Sequence, residues 1–173
     1  MKLIEGEELR RRLNASPPLI EQMVDPEIQI QMNGVDFTLR EVASFCNEPG
    51  AVDFDNSNRR TPGTEPIAPD EGGWWRLRPG SYWVVYNEVV NIPLDAFAIG
   101  RTRSSLLRSG TSVKTALWDS GYSGRSGSLL VVHNPAGIHL QRDARIIQLV
   151  FFGLDAPAEK AYSGLYQDEN KSL

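Results

Sequence analysis

One cysteine, Cys46, and two histidines, His133 and His139, are the only thiol and imidazole side chains among the 173 residues. A single thiol cannot close an internal disulfide and cannot by itself build a zinc site, so a reducing compartment is expected. Long apolar runs are also missing. The most apolar stretch, Ile146 to Leu154, is roughly half of what a membrane-spanning helix needs. The opening, Met1 to Glu8, has no apolar signal core and carries acids where a targeting peptide avoids them. Nor is there a basic excess. A net charge of −4 argues against a sequence-independent duplex binder, while leaving room for a small anion held by a local patch. These absences predict a soluble, cytoplasmic protein with neither a membrane nor a nucleic acid as partner.

Helical periodicity is scarce as well. Gly6 to Leu13 predicts one short helix, with Leu9 and Leu13 on one side, and Pro17-Pro18 cannot continue it. Leu19 to Gln31 reads as strand-like, and Gly34 to Val42 alternates, which puts Asp36 near a strand start on the polar side. Residues 47–73, rich in Pro, Gly, Asp, Asn and Thr, predict a long irregular excursion. Strands are then expected at Trp74 to Leu77, Ser81 to Val90, Ala96 to Gly100, Ser128 to His133, Ile138 to Leu140 and Ile146 to Phe152, with turns between them. With 40% hydrophobic residues the chain can bury one core. The reading is all-β: a distorted jelly roll over residues 1–160 with a short N-terminal helix, then a polar C-terminal arm over residues 161–173. The arm carries Tyr162 and Tyr166 among polar residues, as a segment that orders on something would; a frayed terminus is the alternative.

Against the acidic background, Gly100 to Gly110 concentrates Arg101, Arg103, Arg108, Ser104, Ser105 and Ser109. Guanidinium forks and hydroxyls suit phosphate oxygens, because the bonds are charge-assisted and can be bidentate. A solvated basic turn is the plainer reading. Asp119, before Ser120-Gly121, has a turn former's place, and Tyr122 can be core.

Several segments together resemble the dUTP pyrophosphatase (dUTPase) and dCTP deaminase superfamily, in its archaeal-type dUTPase branch. Asn33-Gly34-Val35-Asp36-Phe37 is similar to the first motif, and Leu77-Arg78-Pro79-Gly80 to the turn before the central strand. Arg103-Ser104-Ser105-Leu106, with Arg108 and Gly110, resembles the second motif, and Trp118 to Gly124 the third. Ala144 to Phe151 resembles the fourth, and Tyr162 to Gln167 the C-terminal motif. The fixed order along residues 3–167 carries the resemblance more than any one motif.

The resemblance implies a homotrimer with sites shared between subunits, dUTP as substrate and Mg²⁺ held mainly by the triphosphate. The implied reaction splits dUTP into dUMP and pyrophosphate, which keeps uracil out of DNA. Asp119 matches the catalytic Asp that orients the attacking water. Arg103, Ser104, Ser105, Arg108 and Gln148 match phosphate binders, with Arg145 as a brace. Tyr122 matches the residue packed on the deoxyribose. Thr115, Ala116 and Leu117 match the strand whose backbone reads the base. Tyr162, Tyr166 and Gln167 belong to the arm, and Asp36 would support the metal through water; a solvated strand Asp is the alternative. Arg125, in an extra turn beside the pocket, is placed to reach phosphate.

The superfamily's other reaction, deamination of dCTP, uses a glutamate in the strand after the third motif. Here Val131 falls at that position, and no carboxylate lies between Gly121 and Asp143. dUTP hydrolysis is therefore the expected activity. The alternatives are a dCTP deaminase, alone or bifunctional, and a catalytically silent nucleotide-binding regulator.

Overall fold

The computed structural model describes residues 1–172. In chain order it contains β1 (Lys2–Ile4), α1 (Gly6–Leu13), β2 (Ile20–Glu21), α2 (Pro26–Gln29), β3 (Ile30–Gln31), β4 (Gly34–Phe45), β5 (Thr64–Pro66), β6 (Trp74–Leu77), β7 (Gly80–Tyr86), β8 (Val89–Asn91), β9 (Ala96–Thr102), α3 (Ser104–Arg108), β10 (Thr111–Lys114), β11 (Leu117–Trp118), β12 (Ser123–Gly124), β13 (Gly127–Val132), β14 (Ile138–Gln141) and β15 (Arg145–Gly153).

The main sheet runs β10-β13-β7-β4-β15-β9-β11, all antiparallel. Its two end strands, β10 and β11, follow one another in the chain, so the sheet must curl until its ends approach. The Thr102 hydroxyl closes part of the gap: it donates to Val113 O at 2.8 Å and accepts from Val113 N at 3.0 Å. The result is a curled antiparallel half-barrel, the predicted β architecture. Val35, Phe37, Leu39, Tyr86, Leu130, Ile147, Leu149 and Phe151 fill its interior, with Phe37 edge-on to Tyr86 at 5.6 Å.

Helix α1 has the predicted bounds. Glu7 and Glu8 stand in its first turn and Arg10, Arg11 and Arg12 in its last, as the helix dipole favours. Arg12 reaches across to Asp95 with two bonds of 2.8 and 2.7 Å, pinning the helix beside β9. The predicted strand character of Leu19 to Gln31 holds only at β2 and β3. Between them Asp25 accepts from the backbone of Glu27 and Ile28, and Pro26 opens the helix, so a capped single turn, α2, replaces the strand.

Strand β4 runs past the predicted Val42 to Phe45, pairing with β15 along its first part and with β7 along the rest. The alternation in β4 does not separate core from solvent, because Gly34 to Leu39 is buried throughout. Asp36 and Thr38 face a second polar layer. Thr38 donates to Glu88 through its amide at 2.9 Å and its hydroxyl at 2.6 Å, and Gln29 donates to the same carboxylate at 2.6 Å. Glu88 is what breaks the predicted Ser81 to Val90 strand into β7 and β8: it turns inward while Asn87 N bonds to Thr38 O at 3.0 Å.

A Cβ at Gly34 would stand 2.2 Å from the Leu149 carbonyl oxygen, a backbone atom of the neighbouring strand that cannot swing away. Gly34→Ala is expected to lose about 3 kcal/mol of stability by forcing β4 from β15, read as a lowered denaturant midpoint; an unchanged midpoint contradicts this packing.

The predicted excursion, residues 47–73, is mostly irregular, with a short pairing of β5 to the end of β4 and an isolated antiparallel bridge between Ala51 and Arg60. Residues 161–172 form turns without strands, and residue 173 of the predicted arm lies outside the described residues. Among the described residues no helix is long and apolar enough to cross a membrane.

Candidate active site

The Arg/Ser stretch is a strand end followed by a helix start. β9 stops at Thr102, Arg103 takes the N-cap position of α3 with extended backbone, and its amide bonds to Ile146 O at 3.1 Å. Its Nε lies 3.1 Å from Asp36 Oδ2, and Arg145 Nη1 meets the same oxygen at 3.1 Å. Arg145 also donates to Ile28 O at 3.0 Å, a bracing contact. Gln148 stands opposite Asp36 in the β4–β15 ladder and opposite Arg101 in the β9–β15 ladder. Arg103, Arg145, Gln148 and Asp36 therefore gather where β4, β15 and β9 lie side by side. Ser104 and Ser105 are exposed on the first turn of α3, and Arg108 is exposed at its end.

Asp36 is not the solvated strand Asp allowed by the sequence: it is 2% exposed. Burial pushes its carboxyl above the ordinary range, while Arg103 and Arg145 pull it down. Both guanidiniums share Oδ2, so Asp36 fixes the direction of Arg103.

A cavity of about 570 Å³ lies elsewhere on the chain. Ala116, Leu117 and Tyr122, expected at a nucleoside site, line it together with Asp119, the expected catalytic residue. Thr115 does not: its hydroxyl turns to Gly100 O at 3.3 Å. Thr115 and Ala116 fall between β10 and β11, outside both ladders, which leaves this backbone edge available to another partner. Asp119 is exposed at the cavity wall, just after β11, and its carbonyl receives the Tyr122 amide at 3.1 Å to form the turn.

The C-terminal segment closes one side. Tyr162 and Tyr166 line the cavity; Gln167 does not, acting instead as a clip that accepts from Ser123 N and donates to Gly121 O, each at 3.1 Å. The glycines of the third motif make room for it. A Cβ at Gly121 would meet Ala161 at 2.6 Å, and Gly121 also has φ of +85°, a left-handed value. The segment thus packs against the third motif through these contacts.

Arg125 does not reach toward the cavity as expected. It is fully buried, with its guanidinium directed to the Asn87 and Tyr86 carbonyls, Gln22 Oε1 and Asn170 O. Asn170 Nδ2 returns a bond to Arg125 O at 3.2 Å. Arg125 anchors the arm. Val131 lies in β13 opposite Ser81 and Ser112, so that ladder position brings no carboxylate.

Other wall residues had no local signal in the sequence. Phe45 and Trp83 meet edge-on at 6.5 Å. Thr61, Pro62 and Thr64 arrive because β5 pairs with the end of β4, which gives the excursion a place beside the site. Gly127 leaves space for Trp83, since a Cβ there would lie 2.4 Å from the indole ring. Glu169 brings a carboxyl to the wall from the arm.

Among the described residues, the cavity wall includes none of Arg103, Ser104, Ser105, Arg108 and Gln148. Also among the described residues, no three acidic, histidine or cysteine side chains are grouped to hold a metal. The Arg/Ser cluster and the cavity with its Asp119 carboxylate are therefore lined by different residues of one chain.

The dCTP deaminase-like family model matches residues 3–154. The chain is 50% identical over 170 residues to a probable deoxyuridine 5'-triphosphate nucleotidohydrolase of Methanosarcina mazei, covering 98% of this chain and 99% of that one. It is 51% identical over 170 residues, with the same coverage, to the protein so described in Methanococcoides burtonii. The crystal structure of a 2'-deoxycytidine 5'-triphosphate deaminase from Agrobacterium tumefaciens shares the fold, with a TM-score of 0.60 at 22% identity over 87% of this chain and 48% of that one. By its sequence along nearly its whole length and by its curled β sheet, the chain belongs to the dCTP deaminase-like family.

Proposed function

We propose that the chain hydrolyses dUTP to dUMP and pyrophosphate. The observation that carries this is the cavity: a carboxylate, Asp119, stands beside a buried Tyr122 and a backbone edge free of either ladder. The Asp119 carboxylate holds a water and takes its proton as the oxygen attacks the α-phosphorus. The bond from that phosphorus to the bridging oxygen breaks, and pyrophosphate leaves. Arg103, with Ser104, Ser105, Arg108 and Gln148, balances the charge on the phosphates. Tyr122 packs on the deoxyribose, and the Thr115–Leu117 backbone pairs with the uracil edge.

The separation of the Arg/Ser cluster from the cavity supports a homotrimer in which the pocket of one subunit takes its phosphate donors from another. The donor set fits Mg²⁺ as an ion carried by the triphosphate: among the described residues no cluster of acidic, histidine or cysteine side chains is grouped to hold a metal, and Asp36 Oδ2 is shared by two guanidiniums. When bound, Mg²⁺ supplies charge neutralisation at the phosphate oxygens.

A second reading, deamination of dCTP, gains one observation that the sequence lacked: Glu169 brings another carboxyl to the cavity. Its Oε1 accepts the Tyr122 phenol at 2.7 Å, which commits it to the sugar side of the pocket rather than to the base edge. Purified protein given dUTP and dCTP separately, with Mg²⁺, is expected to release pyrophosphate from dUTP and no ammonia from dCTP. Ammonia from dCTP overturns the assignment. Tight dUTP binding without pyrophosphate release makes the protein a silent regulator.

A further inference from the structure

The arm meets the third motif at one phenol. Tyr122 lines the cavity at 6% exposure, and its hydroxyl donates to Glu169 Oε1 at 2.7 Å. Tyr162, from the same arm, packs edge-on against the Tyr122 ring at 5.6 Å and 72°. The backbone holds Glu169 in register: Arg125 N donates to its carbonyl at 2.9 Å, and Asp168 N to Ser123 O at 2.8 Å. Space for the pair depends on Gly124, whose Cβ would stand 2.7 Å from the Tyr122 hydroxyl and 3.3 Å from Glu169 Cγ. Burial, and then the Glu169 charge, push the Tyr122 phenol far above its ordinary range, so it stays a donor. Burial raises the Glu169 carboxyl too, with the Tyr122 bond opposing it.

A tyrosine whose hydroxyl is free can slide and tilt within its pocket; one tied at its tip to a fixed carboxylate cannot. We propose that Glu169 is a positioning residue that locks the Tyr122 ring at the depth that admits a deoxyribose and excludes a ribose, so that the C-terminal arm sets sugar selectivity. This rests on the dUTP reading above, which lays the sugar against Tyr122. Selectivity of this kind acts by contact: a ring held in place clashes with a 2'-hydroxyl, and a ring that gives way accepts it.

The test compares kcat/KM for dUTP and UTP in wild type, Glu169→Ala, Glu169→Gln and Tyr122→Phe. Glu169→Ala and Tyr122→Phe are each expected to lower the dUTP-over-UTP ratio by about tenfold, the loss of one hydrogen bond to a charged group. The change is expected mainly in a lower KM for UTP. Glu169→Gln keeps an accepting oxygen and is expected to restore the ratio. The double variant Glu169→Ala/Tyr122→Phe is expected to match either single one, because both remove the same bond. An unchanged ratio in Glu169→Ala, an equal loss of dUTP and UTP turnover, or a Glu169→Gln as defective as the Ala variant overturns the inference. Titrations with dUMP and UMP separate this from the reaction itself. A wild type that hydrolyses nothing but prefers dUMP, with the preference lost in Glu169→Ala, refutes the reaction and sustains the role of Glu169. A wild type with no preference for dUMP overturns that role.

Discussion

Asp119→Asn is expected to lower kcat for dUTP by about 10²–10⁴-fold, the usual contribution of a positioned general base. The substitution is chosen for what it preserves. Asn is isosteric, it forms turns as readily as Asp, and the turn here is held by backbone: the Tyr122 amide bonds to the Asp119 carbonyl at 3.1 Å and the Gly121 amide to Ile92 O at 2.9 Å. The cavity therefore keeps its shape, and the amide can still donate to a ligand oxygen. It cannot accept a proton at neutral pH. Pyrophosphate release should collapse while dUMP binding changes by no more than a few-fold. The two roles open to Asp119 on sequence, turn former and base, predict different outcomes here. A turn former replaced by Asn leaves turnover intact, and that result refutes the proposed chemistry. Loss of dUMP binding together with turnover would instead identify Asp119 chiefly as a sugar ligand.

Local signals made some of this molecule readable and long-range packing hid the rest. Helix α1 was legible because its charges, its i,i+4 leucines and the prolines beyond it all agree. Helix α2 carries two competing local signals: Ile28 and Ile30 alternate as a strand would, while Asp25-Pro26 forms a cap and first-turn pair, and the cap prevails. The alternation of β4 marked a polar side without its partners, and Asp36 and Thr38 are buried there against Arg103, Arg145 and Glu88, residues far away in sequence. Motif residues whose proposed roles need side chains of fixed type, such as Arg103 and Asp119, could be proposed from the chain alone. Trp83, Pro62 and Glu169 could not, because each reaches the cavity through pairing or docking with no local signature. Arg125 shows the opposite error: a basic residue in a glycine-rich turn looked like a ligand contact and is instead a buried anchor.

Two inactive variants should restore activity when their subunits are mixed. Arg103→Ala removes the guanidinium that Asp36 aims, and Asp119→Asn removes the base; each homo-oligomer is expected to keep less than about 1% of wild-type turnover. Yet the two lesions lie in different half-sites of one chain, since the pocket around Asp119 and Tyr122 is lined by none of the Arg/Ser cluster. If a working site joins the pocket of one subunit to the phosphate donors of the next, around a ring of heterologous contacts, each site draws its two halves from different chains. In an equal random mixture, half of the subunits carry an intact Asp119 and half an intact Arg103, so about one site in four is regenerated. Co-expressed variants should then show about a quarter of wild-type kcat per site, with an unchanged KM, because the regenerated sites are fully intact. Turnover that stays at the mean of the two inactive parents means that one chain brings both halves together by itself, and the shared-site assembly is then wrong. The experiment reads subunit sharing directly from catalysis, so a trimer that forms but keeps its sites within single chains is told apart from one whose sites are composite.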